Sequence, residues 1–97
     1  MNEVRFEWNQ LKASANKRRH GVSFEEAVTV FYDDDALEFD DPDHSETEDR
    51  FIMLGLSFKT RVLIVSHCVR EFGSVIRIIS ARKAAKHEAE RYWEEKP

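Results

Sequence analysis

Ninety-seven residues, 41% of them hydrophobic and 11% aromatic, provide for one hydrophobic core, so a single folded domain over 1–97 is expected rather than a disordered chain. No apolar run approaches the roughly 18 residues that span a bilayer, and the opening MNEVRFEWNQ lacks a signal peptide's apolar stretch, which predicts a cytoplasmic protein with no membrane segment. The net charge of −4 is unevenly distributed: residues 1–19 carry +3, residues 20–49 carry −12 and residues 50–97 carry +5, so one side of the fold can attract a polyanion that another repels.

The chain opens with a short strand, Arg5 to Trp8, in which Phe6 and Trp8 share a face. Asn9 is suited to cap a helix from Gln10 to Arg19, with Leu11 and Ala15 as its apolar pair. Gly21 supplies the left-handed residue that ends it, with Val22 as the apolar contact. Ser23 and Glu26 form a capping-box pattern for a second helix, whose Phe24, Ala27, Val28 and Phe31 make one apolar stripe. The Asp33-Asp34-Asp35 run stops it, because aspartates favour turns over helix interiors.

Strands follow. Leu37 and Phe39 alternate with acidic residues, and beyond an acidic loop come Arg50–Ser57, Arg61–Val69 and Val75–Ser80, rich in β-branched and aromatic side chains. Their short joints at 57–60 and 70–74 predict an antiparallel meander. Ser80 is placed to cap a last helix from Ala81 to Glu95, with Ala81, Ala84, Ala85, Ala89 and Tyr92 or Trp93 available to face the sheet. The expected class is α+β, in the order β-α-α-β-β-β-β-α, a mostly antiparallel sheet packed against helices.

Metal chemistry finds no support in spacing. His20, His44, His67 and His87 fall in no HxxxH, HExxH or CxxC arrangement, the aspartate runs lack the calcium-loop glycine, and the lone Cys68 lies in an apolar run as a small hydrophobe. No cofactor-binding glycine loop is present. What remains is a convergence of cations. Arg77 interrupts Val75-Ile76-Arg77-Ile78-Ile79, and a turn centred on Phe72 sets it opposite His67. Arg61, Arg82 and Lys83 flank the same strands, and Lys17, Arg18, Arg19 and His20 end the first helix. These charges suit a solvated sheet face, a satisfied core histidine and a helix dipole. They equally suit metal-free RNA cleavage, where histidine moves protons and arginine's planar fork steadies the crowded phosphate.

Several stretches resemble the BrnT family of bacterial toxins. They are Phe6-Glu7-Trp8, Arg19-His20-Gly21-Val22-Ser23-Phe24-Glu25-Glu26-Ala27, Asp41-Pro42-Asp43-His44-Ser45, Glu48-Asp49-Arg50, Ile76-Arg77-Ile78-Ile79-Ser80-Ala81-Arg82-Lys83-Ala84 and Glu90-Arg91-Tyr92, so that the likeness spans 5–93. The resemblance implies a RelE-like fold and a metal-independent ribonuclease that inhibits translation. It implies a BrnA-type antitoxin that binds operator DNA and neutralises the toxin. By that analogy the RNA site lies on the sheet and the start of the last helix. Arg77, His67, Arg82, Arg61 and His20 are then the catalytic candidates, with Lys17, Arg19 and Lys83 for RNA binding, and no metal or cofactor. The alternative is a weakly active or inactive subunit of the same fold whose main task is to bind its antitoxin and tune operon repression.

Overall fold

A computed structural model describes residues 3–41 and 49–97. The elements run β1 (Arg5–Glu7), α1 (Gln10–His20), α2 (Phe24–Thr29) with a 3₁₀ turn at Val30–Tyr32, β2 (Leu37–Asp40), β3 (Arg50–Leu56), β4 (Val62–Arg70), a 3₁₀ turn at Glu71–Gly73, β5 (Val75–Lys83) and α3 (Lys86–Glu95). The predicted order holds. The five strands form one sheet in the order β1-β5-β4-β3-β2, with β1 parallel to β5 and every other pair antiparallel. Residues 42–48, which hold all but the first residue of the Asp41–Ser45 stretch, including His44, and the first residue of Glu48–Arg50, lie outside the described residues.

Local signals act where the sequence puts them. Asn9 Oδ1 accepts from the Lys12 amide at 3.1 Å, and Gly21, at φ 70°, returns its amide to the Lys17 carbonyl. Ser23 caps α2 by accepting the Glu26 amide at 3.0 Å. The reciprocal half of that capping box is not formed, because the Glu26 carboxylate turns inward to Arg61 and Ser57.

The sheet separates two apolar layers. On one face, α1 and α2 cover Leu63, Val65, Ile78 and Ala81 with Ala13, Phe24, Ala27 and Val30, and Phe6, Trp8, Val28 and Phe31 pack at its margin. On the other, α3 lays the buried Tyr92 against Leu54 and Ile64, edged by Leu37, Phe39 and Ile52. The Tyr92 hydroxyl donates to Asp33 Oδ2 at 2.6 Å, and the same oxygen accepts the Leu56 amide. Burial tends to raise the Asp33 pKa, but these hydrogen bonds outweigh it and hold the carboxyl below its usual range.

Three expectations are corrected. The buried positions of α1 are Ala13 and Asn16, whereas Leu11 and Ala15 are exposed. Asn16 donates to the Val22 and Ala81 carbonyls at 3.0 and 2.8 Å and accepts the Ala81 amide at 3.1 Å. Because β1 pairs only with Val75–Arg77, the rest of that β5 edge would carry unpaired backbone groups, and Asn16 supplies the missing partner. On its other edge β5 pairs with β4 through Ser80–Ser66, Ala81–Val65, Arg82–Ile64 and Lys83–Leu63, so the strand continues to Lys83, Ser80 caps nothing, and α3 begins at Lys86. Arg82 and Lys83 thus end a strand instead of opening a helix.

The register of the β4–β5 hairpin also differs from expectation. Glu71 and Phe72 take positive φ, and the turn pairs Arg70 with Val75, so His67 faces Ile78 while Arg77 faces Cys68. A slip of one residue relative to a Phe72-centred turn moves His67 and Arg77 to opposite faces. Further along, Ser66 pairs with Ser80, which leaves Ile79 as an extra, unpaired residue on β5.

Candidate active site

The Ile79 bulge has a direct effect on the arginines. Positions 77 and 82 are an odd number of residues apart, and in a regular strand they would point to opposite faces. With one residue bulged out, Arg77 stands opposite Cys68 and Arg82 opposite Ile64, two positions on the same face of β4. That is the α3 face. Across four strands the register forms a row, Arg50–Cys68–Arg77–Glu7, in which Cys68 is fully buried. Glu7 Oε2 accepts from Arg77 Nη1 at 3.0 Å and lies 3.5 Å from Arg70 Nη1, so one carboxylate ties two guanidinium groups at the end of the sheet. Arg77 remains 28% exposed, open enough to meet a ligand while its orientation is fixed by Glu7.

Arg82 is held from the α3 side. Its two terminal nitrogens donate to the two Glu88 oxygens at 2.8 and 2.9 Å, and Glu88 also accepts the Ala85 amide at 2.7 Å at the start of the helix. The Arg82 guanidinium, aided by that amide, draws the Glu88 pKa down to about 2 against the effect of burial. This pair sets α3 at the end of β5.

His67 is 1% exposed, enclosed by Phe31 at 4.8 Å and Phe51 at 5.9 Å between ring centroids. Burial pushes its pKa below the ordinary value, only partly offset by the Val65 carbonyl near Nδ1, so the ring sits in the α1/α2 core as a neutral group away from solvent. Arg61 is likewise occupied. It clamps the fully buried Glu26 with Nε at 3.0 Å and a second contact through Nη2, which also donates to the Gly21 carbonyl, while Ser57 Oγ donates to Glu26 at 2.7 Å. Burial would raise the Glu26 pKa, yet Arg61 and Ser57 together hold it below the usual range. The pair ties the start of β4 to α2 and to the end of α1.

The basic end of α1 is separate again. His20 is half-buried in a surface cleft of ≈ 220 Å³ with Lys12, Arg19, Ile79 and Ser80. Lys12, Lys17, Arg18 and Arg19 are exposed and make no ion pair among the described residues, and Lys83, opposite Leu63, belongs to the same side of the sheet. The sequence-predicted residues therefore fall into three places. Arg77 and Arg82 share the α3 face, Lys17, Arg19, His20 and Lys83 lie on the α1 side, and His67 and Arg61 are built into the fold. Sequence reading missed Glu7, whose only local signal is an acidic residue in a short strand of otherwise ordinary character. It also missed His87 and Arg91, which the first turns of α3 bring over Phe39, Ile52, Leu54 and Ile64. Among the described residues, no group of three or more His, Cys, Asp and Glu is placed to hold a metal ion.

A family model described as the ribonuclease toxin BrnT of a type II toxin–antitoxin system matches residues 8–88. The chain belongs to the BrnT family. BrnT proteins are ribonuclease toxins of type II systems, and membership brings with it an antitoxin protein as partner. The fold agrees: a solved structure, that of the Brucella abortus ribonuclease toxin BrnT, superposes with a TM-score of 0.64 at 18% identity, covering 86% of this chain and 99% of that one. A search of curated protein sequences gives no significant match.

Proposed function

We propose that this BrnT-family chain cleaves RNA without a metal ion on the α3 face of its sheet, with Arg77 steadying the phosphate under attack. The observation that carries this reading is the β5 bulge, which turns Arg77 and Arg82 to one face and leaves Arg77 partly open and oriented by Glu7. In metal-free cleavage the 2′-oxygen attacks phosphorus as it loses its proton, and the 5′-oxygen leaves as it gains one. The charge that accumulates on the phosphate oxygens is what a fixed guanidinium stabilises best. Arg82 stands further along the same face. Lys17, Arg19 and Lys83, with His20, bind RNA backbone from the α1 side, where unpaired cations gain most from a polyanion. The cleaved RNA serves translation, which the toxin inhibits, and a DNA-binding antitoxin of the BrnA type neutralises it by covering the cationic sheet face.

Arg77→Ala and Arg77→Lys test this directly. Cleavage of RNA in EDTA at neutral pH is expected from the unmodified chain, abolished by Ala and restored only in part by Lys, because an ammonium cannot reproduce the guanidinium fork. Thermal unfolding of the same variants is expected to change little, since the Glu7 pair is surface-exposed on one side. A folded Arg77→Ala protein with full activity refutes the assignment, and activity that vanishes in EDTA and returns with a divalent ion refutes the metal-free route.

A second reading rests on the ion pairs themselves. Glu7 engages Arg77 and Glu88 engages Arg82 through both oxygens, as expected of a subunit that keeps the fold and its antitoxin contact with little catalysis. Growth arrest on expression without antitoxin separates the two, because only the active toxin produces it.

A further inference from the structure

Between α3 and the sheet lies a pocket of ≈ 310 Å³, at the small end of the range of ligand sites. Its floor is apolar, formed by Phe39, Ile52, Leu54 and Ile64, and its rim carries the Arg82–Glu88 pair with His87 and Arg91. The Arg91 guanidinium lies 4.5 Å above the Phe39 ring centroid, so a planar cation and an aromatic ring meet at the mouth. The pocket lies on the same face of the sheet as Arg77. Arg82, on its rim, pairs with Ile64, and Arg77 pairs with Cys68, four residues along β4, or about 13 Å at the strand rise per residue.

We propose that this pocket receives one unpaired nucleobase of the RNA substrate, a short distance along the strand from the phosphate at Arg77, and thereby sets the base preference of cleavage. The inference rests on the proposed nuclease reading for its biological use, although base binding is testable without it. Unpaired RNA bases are recognised by stacking on aromatic rings and guanidinium planes, and Phe39 and Arg91 offer both. The apolar floor accepts the base, while Arg91, largely exposed and in a long 3.5 Å contact with Glu95, is the rim cation best placed for a flanking phosphate, Arg82 being held by Glu88. The volume fits a single ring system and is too small for a helix or a folded segment of protein. An RNA strand following β4 and β5 would then carry a phosphate at Arg77 and a base beneath α3 at the same time.

The test uses the full chain, isotope-labelled, titrated with AMP, GMP, CMP and UMP, with inorganic phosphate as the control. One or two of the four nucleotides are expected to shift the amides of Phe39, Ile52, Ile64 and His87 well beyond the effect of phosphate. Arg91→Ala removes the exposed half of the stack and is expected to weaken that binding about tenfold, within the range that stacking of one base contributes. Ile52→Phe fills the floor and is expected to block it. Both variants should alter which bases flank the cleavage sites in a mapped RNA, while Arg77→Ala should stop cleavage and leave nucleotide binding intact. Shifts absent for all four nucleotides, or fully reproduced by phosphate, overturn the proposal, as does an unchanged cleavage map in both variants. A chain that binds nucleotides in the pocket but does not cut RNA refutes the nuclease reading alone.

Discussion

Replacing Arg61 with alanine separates a structural role from a catalytic one. Sequence reading places Arg61 among the catalytic candidates, but its guanidinium is the principal partner of a fully buried carboxylate. Among the described residues, removing it leaves the Ser57 hydroxyl, at 2.7 Å, as the hydrogen-bond partner of Glu26 and Lys59 as the remaining nearby cation, and opens the Gly21 carbonyl to whatever water can reach it. Breaking one side of a buried pair typically costs about 3–5 kcal/mol. The surviving Ser57 bond and the partial exposure of Arg61 favour the lower end, about 3 kcal/mol, which for a chain of this length corresponds to a fall in Tm of roughly 12–24 °C. The pH response gives a second handle. The folded pKa of Glu26 is depressed, so its contribution is fully present above the ordinary carboxyl value and fades as pH falls through the folded value; in Arg61→Ala that acid-sensitive part should shrink. Thermal melts from pH 3 to pH 8, on the wild type, Arg61→Ala and the double variant Glu26→Gln/Arg61→Met, provide the measurement, with the double variant expected to regain part of the loss. An Arg61→Ala protein that melts within about 2 °C of wild type and has lost RNA cleavage would refute the structural role.

His67→Leu should keep RNA cleavage and most stability, because the ring it replaces is enclosed by Phe31 and Phe51; a folded but inactive variant would return His67 to the catalytic set. The same burial lowers the His67 pKa, so the unfolded chain binds the extra proton first. Wild-type stability should therefore decline as pH falls below the ordinary 6.5, and denaturant titrations should show a smaller decline in His67→Leu. Asn16→Ala leaves the Ala81 amide and two carbonyls without their partner and should cost about 2–4 kcal/mol, with faster hydrogen exchange at the Ala81 amide as its local signature. In Gly55→Ala the new Cβ would lie 2.7 Å from Val30 Cγ1 and 3.0 Å from Ala36 Cβ, so calorimetry should report a loss of about 1–3 kcal/mol; a neutral result would mean that the 3₁₀ turn at Val30–Tyr32 yields easily.

The elements legible from the amino-acid order are those whose signals are local. Asn9, Gly21 and Ser23 mark helix ends because each satisfies or frees backbone groups within one turn, and Phe24, Ala27, Val28 and Phe31 define a buried stripe by periodicity alone. The hairpin strands were legible from their β-branched runs and short joints, and the family from its combination of motifs. Which residues meet depends on long-range packing. Leu11 looked like the apolar face of α1, yet the small Ala13 and the amide of Asn16 face the sheet, because only they allow close approach and can pair the β5 edge beyond β1. Pairing with β4 carries β5 past Ser80 to Lys83, where helix signals alone predict a cap. Register was beyond local reading as well. The summed packing of both sheet faces selects one alignment, and a single residue's slip at the turn sends His67 into the core and Arg77 to the other face. The Ile79 bulge then reverses the alternation, which is the physical reason that Arg77 and Arg82 share a surface although their spacing in the sequence denies it.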